Sequence, residues 1–165
     1  GSQQVTALVA RHGTVQVVPV KPENTFIAKV NDRLPIEVRP RSAKARAASD
    51  GRLIHYEKMN NPYSSGTADG WYSAAGGDLW VEFKHLPSVP QRAIVSPKKL
   101  LSELQLKWLN GRYEEGRNVA VVIGCPAGGV VLVDRAWEAD LSAELFKTLM
   151  LSIVDLANWI RSQVL

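Results

Sequence analysis

The sequence is short of the side chains that oxidative cross-links and soft metals require. Its one cysteine, Cys125, excludes a disulfide framework and a cysteine zinc cluster, and suits a reducing compartment. The three histidines, His12, His55 and His85, are scattered, with no pair placed for a zinc site. His85 follows the core side by strand parity and reads as packing or a phosphate contact rather than a base. No run is long or apolar enough to span a membrane and no signal peptide is visible, so a cytoplasmic protein with no membrane contact is expected. The glycine-rich Cys125-Pro126-Ala127-Gly128-Gly129 lacks the Gly-Lys-Ser/Thr ending of a phosphate-binding loop, which excludes nucleotide binding there.

What is present is ordinary for a globular α/β chain: 165 residues, 45% hydrophobic and 22% charged. A net charge of +4 and a pI near 9.3 lean towards a polyanionic partner. Gly1-Ser2 resembles the remnant of a cleaved tag and is left out of the fold reading; residues 3–165 are expected to form one domain. Thr14-Val15-Gln16-Val17-Val18, closed by Pro19, reads as a strand in an N-terminal β arm (3–20). Phe26, Ile27, Val30 and Leu34 fall at helical spacing after Pro22 and before Pro35. Glu23 suits the positive end of that helix.

Between residues 39 and 52 lie five basic side chains, Arg39, Arg41, Lys44, Arg46 and Arg52, and one acid, Asp50. Such a run is a solvated loop or, with a nucleic-acid partner, a phosphate-contacting element. Leu53–Lys58 reads as a strand, and Trp71-Tyr72 as another. The turn Ala75-Gly76-Gly77-Asp78 then joins the latter to Leu79–Lys84 as an antiparallel hairpin. Ser102 with Gln105 fits a capping box opening a helix that carries Leu104, Trp108 and Leu109 and ends near Gly116. Val119–Gly124 is a strand buried on both faces, and Val130–Val133 returns beside it. A C-terminal helix (142–165) carries Leu145, Leu149, Ile153, Leu156, Ile160 and Val164.

The chemistry concentrates on Leu79-Trp80-Val81-Glu82-Phe83-Lys84. Alternation sends Leu79, Val81 and Phe83 to one face and Trp80, Glu82 and Lys84 to the other. An acid and a lysine on so apolar a segment are costly to bury without a partner. A divalent cation ligated by the acid, with the ammonium beside a water or phosphate oxygen, would satisfy both. Asp69, near the end of the hairpin away from its turn, is placed to join Glu82. Asp78 shares strand parity with Glu82 and is the alternative ligand, or else belongs to the turn. A structural Glu82–Lys84 pair is the plain alternative.

Gly66-Thr67-Ala68-Asp69, thirteen residues to Glu82, then Glu82-Phe83-Lys84 and Gln105 on a following helix together resemble the PD-(D/E)XK nuclease superfamily. More narrowly they are similar to virus-type replication-repair nucleases and phage Holliday-junction-resolving endonucleases, over roughly residues 21–133. The resemblance implies a restriction-endonuclease-like core, a central mixed β-sheet flanked by helices. It implies Mg²⁺ or Mn²⁺ held by Asp69, Glu82, the Phe83 carbonyl and Glu23, with Lys84 orienting the water and Gln105 steadying the site. It also implies hydrolysis of phosphodiesters in branched DNA by a homodimer, in the cytoplasm of a phage-infected bacterium. Ala68 departs from the family's frequent proline. A nuclease fold that binds or assembles on DNA without cutting is the alternative.

Overall fold

The computed structural model describes residues 6–11, 14–19, 21–37, 53–59 and 66–165. Strands β1 (Thr6–Arg11) and β2 (Thr14–Pro19) pair antiparallel in a two-stranded sheet of their own, with Thr6 opposite Pro19 and Arg11 opposite Thr14. Helix α1 (Pro22–Asn31) begins on Pro22, whose fixed φ and missing N–H suit a first helical turn, and carries Glu23 there.

The main sheet has five strands in sequence order: β3 (His55–Lys58), β4 (Gly70–Ala74), β5 (Gly77–His85), β6 (Val119–Cys125) and β7 (Gly128–Leu132). Only the β5–β6 pairing is parallel, so the sheet is mixed. A parallel neighbour requires a crossover. Here it carries a short helix α2 (Pro97–Leu100) and the longer α3 (Glu103–Glu114).

Both faces of the sheet are covered. On one, Phe26, Ile27 and Val30 of α1 share a core with Leu79, Val81, Phe83, Ala120 and Val122. Gly124 lets α1 approach closely, because a Cβ there would come within 2.6 Å of the Phe26 ring. On the other face, Val119, Val121, Ile123, Val130 and Leu132 pack with Leu109 of α3, Trp137 and Phe146. Each buried aliphatic side chain of this size contributes roughly 1.5–3 kcal/mol. These two layers leave β5 and β6 at the centre of a helix–sheet–helix sandwich.

Residues 142–165, expected as one helix, form two: α4 (Ala143–Leu149) and α5 (Ile153–Val164). Between them Leu151 exchanges both backbone hydrogen bonds with Gly129 on the sheet edge, at 2.8 and 2.9 Å. Ser152 then restarts the helix, its hydroxyl accepting from the Asp155 N–H. The unpaired edge of β7 has outcompeted helical continuity. Leu156, Ile160 and Val164 of α5 complete the core beneath α1. No helix among the described residues is long and apolar enough to cross a membrane.

Candidate active site

The site forms where the β4–β5 hairpin opens away from its turn. Register places Gly70 opposite Val81, so Asp69, the residue before β4, reaches the level of Glu82 and Phe83. Its carboxylate Oδ2 accepts a hydrogen bond from the Phe83 N–H at 2.9 Å, while its own carbonyl accepts from the Met59 N–H at 2.7 Å. These two bonds fix Asp69 between β3 and β5. The preceding loop is held against α3 at Gly66, whose φ of +89° favours glycine and whose Cβ would lie 2.4 Å from the Leu104 carbonyl oxygen. Asp69 is thus positioned from both flanks.

Glu82 is 1% exposed, the one charged residue so deeply buried among the described residues. Its Oε1 accepts from Gln105 Nε2 at 3.0 Å and stands 3.4 Å from Lys84 Nζ. Its Oε2 is buried and accepts from no N–H group, and the Asp69 carboxyl stands close enough to share a proton with Glu82. Gln105 serves two ends at once. The Ser102 N–H donates to its Oε1 and its own N–H donates to Ser102 Oγ, completing the capping box, while its Nε2 turns to Glu82. One side chain thus closes the helix cap and also reaches Glu82.

Three carboxyl groups converge here. Burial, then the neighbouring Asp69 carboxylate, push Glu82 up to about 9, against the opposing pull of Lys84. Burial and Asp69 likewise push Glu23 up to about 7, with Lys84 and Lys21 opposing. Glu23 thus comes from α1 into the field of the hairpin acids, beyond its place at a helix start. Tyr56 lies in the same field, its hydroxyl raised above the usual tyrosine range by burial and by Asp69. Lys58 reaches across from β3 to donate to Asn24 Oδ1 at 3.3 Å, one residue from Glu23. Neither Tyr56 nor Lys58 is singled out by sequence; β-pairing of distant segments brings them here.

Other candidates fall elsewhere. Asp78 accepts from Ser73 Oγ across the hairpin and belongs to its turn end. His85 packs with its ring centroid 5.8 Å from that of Phe26, on the core side, and burial lowers its proton affinity. Arg39, Arg41, Lys44, Arg46 and Arg52 lie outside the described residues.

Among the described residues no three His, Cys, Asp or Glu side chains stand ready-made as a metal cage. The donor set still fits a hard divalent cation. Its groups are carboxylate oxygens, two of them hold protons more tightly than usual because negative charge and burial coincide, and Glu82 Oε2 accepts from no N–H group. Glu23, Asp69 and Glu82 are the acids that would have to draw together around such an ion.

No protein-family model matches the sequence, and no curated protein matches it. Among solved structures the fold is similar to Hjc, a Holliday junction resolvase from the archaeal hyperthermophile Archaeoglobus fulgidus, with a TM-score of 0.42 and 16% identity over 63% of this chain and 86% of that one.

Proposed function

We propose that this chain is a divalent-metal-dependent endodeoxyribonuclease of the PD-(D/E)XK type, acting on branched DNA such as four-way junctions. The observation that carries the reading is Glu82: a buried carboxyl with one oxygen held by Gln105 and Lys84 and no N–H donor on the other, set against the Asp69 carboxyl. A structural Glu82–Lys84 pair alone would gain nothing from Asp69, which works against the charged form of Glu82. A mixed sheet between helices, with the acids at the open end of its central hairpin, is the arrangement the sequence resemblance implies.

In this reading Glu23, Asp69, Glu82 and the Phe83 carbonyl hold Mg²⁺ or Mn²⁺. The cation, when bound, acidifies a water and offsets charge on the phosphate. Glu82 would have to be ionised to ligate it. Gln105 keeps Glu82 Oε1 fixed, and the Phe83 N–H keeps Asp69 fixed, so the acids need not reorganise during turnover. Lys84 Nζ orients the attacking water or a non-bridging phosphate oxygen. The water oxygen bonds to phosphorus and its proton passes to solvent, the bond to the 3′ oxygen breaks, and that oxygen takes a proton from solvent, leaving a 5′-phosphate and a 3′-hydroxyl. The basic residues Arg39, Arg41, Lys44, Arg46 and Arg52 contact phosphates along the strand, giving affinity without sequence reading. Selection of junctions would use two sites in a homodimer, and the setting is the cytoplasm of a phage-infected bacterium.

The test is cleavage of labelled junction, duplex and single-stranded DNA with Mg²⁺ or Mn²⁺, beside Glu82→Ala and Lys84→Ala. Metal-dependent cutting of the junction by wild type alone is expected. If wild type leaves all three intact while still binding them in a salt-sensitive way, the chain is a binding module on a nuclease fold.

A further inference from the structure

The first turn of α3 stands behind both hairpin acids. Leu104 abuts Gly66, in the loop that carries Asp69, so closely that a Cβ there would meet its carbonyl. Gln105, the next residue, donates from Nε2 to Glu82 Oε1 at 3.0 Å. What holds that turn is Ser102. Its Oγ accepts from the Gln105 N–H at 3.1 Å, and its own N–H donates to Gln105 Oε1 at 2.9 Å. Ser102 is itself held from both sides. The buried Leu101 before it donates from its N–H to the Pro97 carbonyl at 3.0 Å, and the Ser102 carbonyl accepts from the Leu106 N–H at 2.9 Å.

A side-chain amide has one accepting end and one donating end, and turning it over exchanges them. A backbone N–H can only donate. The Ser102 N–H therefore fixes the Gln105 oxygen on its own side and leaves the nitrogen for Glu82. Turned over, the amide would set its oxygen against the Glu82 oxygen, two acceptors facing each other, and would strand the Ser102 N–H. Each of the two bonds thus favours the other. With Oε1 of Glu82 taken by Gln105 and Lys84, Oε2 is the oxygen left for a ligand.

We infer that Ser102 is a positioning residue of the acid site: its N–H orients the Gln105 amide and, through it, the Glu82 carboxyl. This role rests on the nuclease reading for the identity of the ligand, a divalent cation. Partners that orient a ligating group from behind typically change metal affinity by about 10- to 100-fold when removed. Ser102 belongs to that class although it touches neither the ion nor the substrate. Its capping bond alone would stabilise α3 without bearing on Glu82; the bond to Gln105 Oε1 ties the two together.

The decisive variant is Ser102→Pro, which removes the N–H and Oγ together. The backbone already suits proline, with φ −74° at Ser102 and an extended Leu101 before it at φ −93° and ψ 142°. Ser152→Ala removes a cap of the same kind from α5, on the other face of the sheet, and is the control. Two readouts are taken without DNA: hydrogen exchange of the Gln105 side-chain NH₂ by NMR in chelator, and Mn²⁺ affinity by titration. Ser102→Pro should speed the exchange by about 2- to 13-fold, the loss of one hydrogen bond. It should also weaken Mn²⁺ binding by about 10-fold, as Gln105→Leu does. Ser152→Ala should change either by less than about 2-fold, and Ser102→Thr, which keeps both bonds, should match wild type. A folded Ser102→Pro that matches Ser152→Ala in both readouts overturns the inference. Faster exchange with Mn²⁺ affinity unchanged also overturns it, leaving Ser102 a helix cap. So does a wild-type Gln105 NH₂ that exchanges as fast as that of free glutamine, a measurement that needs no variant to fold. If wild type binds no Mn²⁺ and cuts no DNA, the nuclease reading falls, and the exchange rates alone decide whether Ser102 orients Gln105. Mn²⁺-dependent cutting in which Ser102→Pro matches Ser152→Ala keeps the nuclease reading and removes the positioning role.

Discussion

Replacing Glu82 by glutamine should make the metal-free protein more stable. A carboxyl raised from 4.5 to about 9 holds its proton more firmly in the folded state than in the unfolded one. The sign follows from linkage. Below about pH 4.5 both states are protonated and the site carries no penalty; as pH rises towards 9 the unfolded chain has released a proton that the folded chain retains, and stability falls. At pH 7 the penalty amounts to about 3 kcal/mol, and above pH 9 it levels off. Glu23 adds to the decline between 4.5 and about 7, weakened by its partial exposure. Glutamine keeps the acceptor that Gln105 and Lys84 use and removes the charge. For a chain of this size, 3 kcal/mol corresponds to roughly 6–12 °C in melting temperature. The assay is thermal and urea unfolding of wild type and Glu82→Gln in chelator at pH 5, 7 and 9. Wild type should lose stability steadily across that range, and the variant should be flatter and gain most at pH 9. Adding Mg²⁺ should close most of the gap at pH 7, since wild type gains about 2.7 kcal/mol at a hundredfold excess over its dissociation constant and the variant gains little. A variant less stable than wild type at pH 9 in chelator would refute the reasoning.

Three further outcomes follow from the same geometry. Gly66→Ala should cost about 1–3 kcal/mol in urea unfolding and reduce the Mg²⁺-dependent gain, because the new methyl group meets the Leu104 carbonyl and displaces the loop that carries Asp69. Gln105→Glu keeps the acceptor for the Ser102 N–H but sets a second carboxyl against Glu82; its unfolding midpoint should fall more steeply with rising pH than that of wild type. Lys84→Met removes the cation that opposes protonation of Glu82, so the pH-dependent loss should extend to higher pH, and cutting should drop by at least about 100-fold.

The central hairpin was legible because its signals are local: strand alternation on either side of a Gly76–Gly77 turn sets register, and register sets which side Glu82 takes. The Ser102–Gln105 box and the buried β6 are equally local, and both appear as read. What escaped depends on partners distant in sequence. The spacing of Leu149 and Ile153 reads as one continuous helix, yet Leu151 between them leaves it because Gly129 offers it two backbone bonds. The spacing around Glu23 explains it as a helix-start acid; only the family resemblance sets it apart, and its neighbour Asp69 comes from a distant segment. Trp108 counts as one more apolar position on a helix until Trp80 is found against it. The tie of Trp137 to Asn110, and of Asn110 to Glu138, has no sequence signature either, since each bond spans the whole β6–β7 hairpin.

The account turns on a carboxyl kept in an unfavourable place for the sake of chemistry. Its most direct measurement is the initial rate of junction cleavage by Glu82→Gln beside wild type, at pH 8 with saturating Mg²⁺. The account predicts a variant that folds at least as well as wild type in chelator yet cuts nothing, while wild type cuts only with metal. Cutting by Glu82→Gln at the wild-type rate would contradict it.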